Sequence, residues 1–94
     1  MNLKSLHQLE KEVSAVKFFK GELGINSALE IQKDGVLKSH ISQTPAVLLC
    51  VNGWVVYHEE DREVSLKSGD YVGIPAMVPH WVIAEEISQL ILMK

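Results

Sequence analysis

The chain has 94 residues, of which 47% are hydrophobic and 22% charged, and it carries a formal net charge of −3. This balance is ordinary for one small globular domain and excludes wholesale disorder. The negative charge leaves no electrostatic footprint for nucleic acid or for an anionic membrane, so neither is an expected partner.

Cys50 is the only cysteine, so neither an internal disulfide nor a cysteine-built zinc site can form. We expect its thiol to be a small buried hydrophobe. The N-terminus is too charged for a signal peptide, and no apolar run approaches the ~20 residues of a membrane span. We therefore expect the protein in the cytoplasm.

A short amphipathic helix is predicted at the N-terminus, from about residue 3 to residue 12. Ser5 has the character of an N-cap, with Gln8 three residues later, and apolar residues including Leu9 follow at helical spacing. His7 lies on this helix and is expected to be a surface residue.

The rest of the chain has the pattern of strands separated by turns. Short apolar or alternating runs recur at regular spacing, which is typical of a small β-barrel or sandwich. The predicted strands cover residues 13–20, 25–32, 36–42, 46–51, 54–57, 63–67, 71–74, 80–84 and 89–93. The charge run 58–62 is interpreted as a solvated turn. No repeat or linker interrupts the chain, so we expect a single domain over residues 1–94, with the helix and the first strand in residues 1–20.

Asn52-Gly53 is the strongest short-range hairpin signal in the sequence. A two-residue turn here would pair Val51 with Trp54 and Cys50 with Val55. The period of two then puts Ala46, Leu48, Cys50, Val55 and Tyr57 on one face, and Val47, Leu49, Val51, Trp54 and Val56 on the other. Both faces are apolar, although an antiparallel sheet usually leaves one face in water. We therefore expect a homodimer packed through one of these faces; the alternative is that the N-terminal segment covers the face within the same chain.

The stretch from Gly69 to His80 places one histidine on rigid backbone. An apolar strand is entered through a Gly-Asp turn and left through two prolines, and His80 then begins the next apolar run. A histidine fixed at a strand start points to a defined face of the sheet. Trp81 alternates away from His80, so we expect it on the outer face.

These residues resemble the two sequence motifs of the cupin superfamily. The matching residues are Gly35, His40 and Gly53 for the first motif, and Gly69, Pro75 and His80 for the second. The resemblance covers roughly residues 28 to 93, which we take as the barrel core. It implies a small antiparallel β-barrel of two sheets, usually dimeric, with a pocket inside. The chain departs from the motifs at five places: Gly35 is one residue short of the usual spacing, and Ser42, Ala46, Met77 and Ala84 replace the motif's histidine, glutamate, glycine and asparagine.

These departures leave only His40 and His80 of the four metal ligands that the resemblance implies. Two imidazoles are an incomplete shell for zinc, iron, nickel or manganese, and a serine hydroxyl is a poor replacement. Three interpretations of the pair stay open: polar groups in a small-molecule pocket, metal ligands, or histidines satisfied by hydrogen bonds in a packed barrel. The residues predicted to line the pocket are His40, Ser42, Ala46, Leu48, Tyr57, His80 and Val82.

The function expected from this sequence is that of a binding module, which holds a small metabolite such as a sugar or an acid inside the barrel. No catalytic residue and no cofactor are assigned, because the carboxylate that would neutralise the charge of an ion is missing. The alternative is a metal-dependent oxygenase or isomerase in which His40 and His80 hold Zn, Fe, Ni or Mn. Barrels of this kind host many chemistries, so the fold alone does not decide between the two.

Overall fold

The structure is a computed structural model, and it describes residues 1–8 and 10–94. A 3-10 helix, η1, covers Leu3–Leu6. The strands are β1 Val13–Lys20, β2 Ile25–Ile31, β3 Val36–His40, β4 Ala46–Asn52, β5 Trp54–Glu59, β6 Arg62–Lys67, β7 Tyr71–Ile74, β8 His80–Ala84 and β9 Ser88–Met93. Every predicted strand is present, with its ends shifted by no more than two residues.

The strands form two antiparallel sheets, which confirms the predicted all-β double-sheet barrel. One sheet has five strands in the order β1-β2-β9-β4-β7, and the other has four in the order β3-β8-β5-β6. The inward-facing side chains of both sheets form one hydrophobic core. Such a core is the main source of stability for a small all-β domain, because each buried aliphatic side chain contributes about 1.5–3 kcal/mol.

The face assignment along β4 and β5 is confirmed. The residues predicted to share the inner face are all buried, namely Ala46, Leu48, Cys50, Val55 and Tyr57. The thiol of Cys50 is completely buried, and this burial raises its pKa. Period-two alternation therefore determines which side chains enter the core, whichever strand lies alongside.

The predicted Asn52-Gly53 hairpin is wrong. β4 pairs with β7 and β9, whereas β5 pairs with β6 and β8, so the two strands belong to different sheets. Gly53 has a φ of +111°, and a Cβ there would collide with Ser88. Of the Asn-Gly pair only Gly53 has a positive φ, and the chain uses it to cross from one sheet to the other.

The split between sheets also changes the predicted outer face. Val47, Leu49 and Val51 lie on the outside of the five-stranded sheet, while Trp54 and Val56 lie on the outside of the four-stranded sheet. They therefore do not form one apolar patch. Each sheet has its own outer face, and the two point in opposite directions.

The N-terminal helix is shorter than predicted. It is a single 3-10 turn that begins after Asn2, whose Oδ1 accepts a hydrogen bond from the backbone N–H of Lys4 at 2.9 Å. His7 already has an extended backbone, and its Nδ1 lies 2.7 Å from the hydroxyl of Ser14. This contact joins the residue after the helix to β1. The ring of His7 is half-buried, so its predicted surface position is wrong; Leu9 lies outside the described residues.

The N-terminal segment covers one end of the five-stranded sheet. Ser14, Glu30 and Gln89 point outward from this sheet, yet all are buried, and Gln89 Nε2 donates to Glu30 Oε2 at 2.7 Å. Lys4 and His7 lie over this end. The N-terminal segment therefore covers polar residues of β1, β2 and β9, and coverage of the predicted apolar face within the same chain stays a prediction. Across residues 1–8 and 10–94, no helix is long and apolar enough to cross a membrane.

Candidate functional site

The structure brings His40 and His80 together. They are partners in the ladder between β3 and β8, their Nε2 atoms are 3.1 Å apart, and their ring centroids are 4.2 Å apart. His80 is buried and His40 is half-buried. The turn before β8 holds this geometry: Met77 has a φ of 64° and donates its backbone N–H to the carbonyl of Ser42 at 2.8 Å.

Hydrogen bonds on the far side of each ring fix the tautomers of the two histidines. His40 Nδ1 lies 3.1 Å from the carbonyl oxygen of Lys38, and His80 Nδ1 lies 3.0 Å from that of Val78. A carbonyl oxygen can only accept, so each Nδ1 carries the proton and donates it. In a neutral ring the Nε2 is then the acceptor. The two Nε2 atoms converge at 3.1 Å, and one can donate to the other only when one ring carries a second proton.

A second group of polar side chains adjoins His80. The ring of Tyr57 stacks against that of His80, with centroids 5.8 Å apart. Its hydroxyl donates to Glu59 Oε2 at 2.5 Å, and Arg62 Nη2 donates to the same oxygen at 2.7 Å. Arg62 Nη2 also donates to the carbonyl of Gly73 at 2.9 Å, which links the two sheets at this end of the barrel.

The interpretation of residues 58–62 as a solvated turn is wrong for its most important member. Glu59 is only 8% exposed and lies opposite His80 in the ladder between β5 and β8. Its position was readable from the sequence, because Val55, Tyr57 and Glu59 share one strand parity. The predicted strand ended at Tyr57, where the charged residues begin, so the inward position of Glu59 was missed.

The surroundings set the charge state of the site. Burial, more than the neighbouring His40, lowers the pKa of His80. The hydrogen bond from Arg62 lowers the pKa of Glu59, while burial and then the Glu59 carboxylate raise the pKa of Tyr57. At neutral pH the site therefore holds a neutral imidazole, an ionised carboxylate and a protonated phenol.

The other predicted pocket residues either belong to the hydrophobic core or form a hydrogen bond to a residue nearby in the sequence. The Ser42 hydroxyl is buried and donates to the carbonyl of Thr44 at 2.7 Å. Ala46, Leu48 and Val82 belong to the hydrophobic core cluster, together with Tyr57. Their role as the lining of a binding pocket stays a prediction.

The donor set fits only part of a metal centre. With bonds of about 2.05 Å, two nitrogens 3.1 Å apart would subtend about 98° at an ion, which suits two neighbouring ligand positions. In the described part of the chain, no three His, Cys, Asp or Glu residues are grouped so that they could hold an ion. The serine and alanine at the remaining motif positions offer an engaged hydroxyl and a methyl group. His40 and His80 can therefore supply two ligands, and the described residues do not complete the shell.

Comparison with known proteins agrees with this architecture. The family model described as Cupin domain matches residues 28–93, and the chain belongs to this family. No curated protein matches the chain.

Solved structures share the fold at low sequence identity. A cupin superfamily protein from Desulfitobacterium hafniense is 13% identical, with a TM-score of 0.87 over 98% of this chain and 84% of that one. TT1209 from Thermus thermophilus is 22% identical, with a TM-score of 0.86 over 99% of this chain and 92% of that one. The polyketide cyclase RemF from Streptomyces resistomycificus is 15% identical, with a TM-score of 0.78 over 88% of this chain and 64% of that one.

Proposed function

We propose that this cupin domain is a binding module that holds a small molecule at the His40–His80 pair. The observation that carries the proposal is the pair of Nε2 atoms that converge at 3.1 Å. In two neutral rings both atoms would be acceptors, and leaving such groups unpaired in a buried site costs about 1–3 kcal/mol. A ligand that supplies a donor to both nitrogens would recover this free energy, which is the physical basis for affinity.

The polarity of the site favours a ligand rich in hydroxyl groups. In neutral rings both Nε2 atoms accept, and the nearby Glu59 carboxylate has a lowered pKa, so a donor group is attracted and a carboxylate group is disfavoured. A sugar or another polyol supplies neighbouring hydroxyl donors. Of the two metabolite classes expected from the sequence, the geometry therefore supports the sugar.

The same surroundings argue against turnover by the site's own groups. The hydroxyl of Ser42 is engaged by Thr44, and the raised pKa values of Tyr57 and Cys50 keep both groups protonated. An effective nucleophile needs a lowered pKa or an adjacent base. Ser42 and Cys50 lack that activation, and Tyr57, although it donates to the Glu59 carboxylate, keeps its proton because its pKa is raised. Binding without chemistry is therefore the function that we propose.

Nuclear magnetic resonance of protein labelled with ¹⁵N-histidine tests the proposal. A panel of monosaccharides and polyols should include compounds that shift the Nε2 resonances of His40 and His80 and leave His58, on the outer face, unchanged. His80→Ala should abolish binding of such a compound, whereas His58→Ala should retain it. If no member of the panel moves the paired resonances in folded protein, the proposal is wrong.

A metal-dependent enzyme is the second candidate, and the spacing of the two nitrogens favours it. His40 and His80 would hold the ion, which would act as a Lewis acid toward a substrate oxygen. Calorimetric titration with Zn²⁺ separates the two candidates. A two-ligand site should bind the ion weakly, so tight stoichiometric binding that is lost in the His40→Ala His80→Ala variant would favour the enzyme.

A further inference from the structure

A row of polar residues crosses the outer face of the five-stranded sheet beneath the N-terminal segment. Ser14, Glu30, Gln89 and Asn52 lie side by side on β1, β2, β9 and β4, because each is the ladder partner of the next. We call these four residues the polar row. The first three are buried, and buried polar groups are normally hydrogen-bonded. The partners of each group therefore decide what the row can bind.

The hydrogen bonds around Glu30 leave one acceptor of the polar row unpaired. Both carboxylate oxygens accept amide N–H groups, Oε1 from Gln32 at 3.3 Å and Oε2 from Gln89 at 2.7 Å. Gln89 therefore turns its Nε2 toward the carboxylate, and its Oε1 has no hydrogen-bond partner within residues 1–8 and 10–94. Gln89 is only 4% exposed. A carbonyl oxygen can only accept, so the group that it lacks is a donor.

His7 holds a second buried atom without a partner. Its Nδ1 lies 2.7 Å from the hydroxyl of Ser14, whereas its Nε2 has no hydrogen-bond partner in the part of the chain that the structure describes. Either tautomer leaves Nε2 unpaired, as an acceptor when Nδ1 carries the proton and as a donor when it does not. Ser14 and Gln89 are the neighbours of Glu30 in the row, so the unpaired atoms lie on either side of its carboxylate.

Two adjoining hollows lead to the polar row. The larger has a volume of about 570 Å³ and is lined by Lys4, His7, Glu10, Glu30, Gln32 and Ile87. The smaller, of about 280 Å³, is lined by Gln89 and Asn52 among others. Lys4 lines both hollows, so the turn η1 separates them. No residue of η1 is buried, so this turn can move aside without exposing the core.

The charges around the larger hollow are mainly negative. Glu10 and Glu30 contribute two carboxylates, against one ammonium group from Lys4. Glu30 forms no ion pair with any residue that the structure describes, although it is 92% buried, at 8% exposure. A buried carboxylate held only by neutral amides favours a cation that also donates hydrogen bonds.

We infer that these hollows bind a small organic cation with N–H donors, namely an alkylammonium or an alkylguanidinium. Its N–H groups would donate to Gln89 Oε1 and to the remaining lone pairs of Glu30, and its alkyl chain would pack on Ile87, which is 53% exposed. A bare divalent ion fits less well, because no three His, Cys, Asp or Glu residues of the described chain are grouped to hold one. This site lies outside the five-stranded sheet, whereas His40 and His80 belong to the other sheet, so it is separate from the proposed sugar site.

Nuclear magnetic resonance with matched probes tests the inference. Butylammonium or butylguanidinium, titrated to about 10 mM, should shift the side-chain amide of Gln89 and the imidazole of His7 to saturation. His58, on the other sheet, should not move. Tetramethylammonium carries the same charge without an N–H donor, so it should bind about tenfold more weakly or worse. An equal response to tetramethylammonium, or no response to either N–H cation, would overturn the inference.

Variants of the lining residues test the same inference through charge. Glu30→Gln should weaken binding of the responding cation by about tenfold, and Glu10→Gln, on the exposed rim, by about threefold. Lys4→Gln removes a competing ammonium group and should strengthen binding by about threefold. Glu22→Gln, an exposed acid in the turn between β1 and β2, is the matched control and should bind like the wild type.

The opposite signs expected at Lys4 and Glu10 keep the experiment decisive if Glu30→Gln fails to fold. Both residues are exposed, so their variants should fold normally. Weaker binding in Lys4→Gln, unchanged binding in Glu10→Gln, or a loss of binding in Glu22→Gln would each show that the cation does not occupy these hollows.

Discussion

Arg62 and Glu59 form an ion pair between the adjacent strands β5 and β6, with 2.7 Å between Nη2 and Oε2. The carboxylate side chain is only 6% exposed, whereas that of the arginine is 42% exposed. Water can solvate the guanidinium if the pair is broken, but the buried carboxylate has only its two donors, Arg62 and Tyr57, to stabilise its charge. Loss of Arg62 should therefore affect both the stability of the fold and the charge beside His80.

Replacing Arg62 with Gln should destabilise the fold by about 1–2 kcal/mol, because it leaves a buried carboxylate with one donor fewer while solvent screens part of the loss. Urea denaturation measures the free energy of unfolding. Lys17→Gln, which replaces an exposed cation on β1, is the control and should cost less than about 0.5 kcal/mol. Equal losses of unfolding free energy in the two variants would show that the ion pair does not stabilise the fold.

The stability of the fold should depend on pH through Glu59. Its pKa is lower in the folded protein than the ordinary value of 4.5, so the folded state holds the proton less tightly than the unfolded state does. The stabilisation is complete above the ordinary value and is lost as the pH falls through the lower folded value. Glu59→Gln should flatten this acid limb of the stability curve, whereas Glu60→Gln, the exposed neighbour, should leave it in place. An unchanged acid limb in Glu59→Gln contradicts the assignment.

Gly53→Ala should destabilise the fold more than Gly69→Ala does. Both glycines have positive φ, which costs a residue with a Cβ about 1 kcal/mol. At Gly53 the Cβ would also lie 2.7 Å from the Cα of Ser88, whereas at Gly69 it meets nothing within 4 Å. We expect about 1 kcal/mol for Gly69→Ala and about 3 kcal/mol or more for Gly53→Ala, measured as shifts in the urea midpoint. Similar values would mean that the corner between the sheets is loosely packed.

Restoring the missing ligands tests where the metal positions of the family lie in this barrel. Ala46→Glu alone should lower the melting temperature, because Ala46 is buried and the new carboxylate lacks a partner. In Ser42→His Ala46→Glu, Zn²⁺ should raise the melting temperature and bind at least tenfold more tightly than it binds the wild type. The same double variant carrying His40→Ala is the control and should lose that gain. No gain from Ser42→His Ala46→Glu would show that these positions do not face the histidine pair.

The sequence predicted the strands and their inner faces well, because both follow from short-range patterns. Period-two alternation placed Leu48, Cys50, Val55 and Tyr57 in the core without knowledge of their neighbours. Proline-bounded turns and the resemblance to cupins then predicted that His40 and His80 approach each other.

Other features depend on contacts that a local pattern does not carry. The Asn52-Gly53 signal specifies a backbone angle, and the same angle serves a hairpin or a corner between sheets. The burial of Glu59 depends on Arg62 and Tyr57, which compensate its charge only once the sheets are folded. The N-terminal helix is likewise shorter than its pattern predicts, and His7, just after it, contacts Ser14 on a strand that a helical pattern cannot anticipate.

The position of His40 on β3 has a kinetic consequence. β3 is the outermost strand of its sheet and is bonded only to β8, whereas β8 has a neighbour on both sides. His80 is thus held by ladders on both sides of β8, whereas His40 moves away when the single ladder between β3 and β8 frays. Under the proposed function, the residence time of a bound molecule is governed by this fraying, so it should track the deuterium uptake of the amides in Val36–His40.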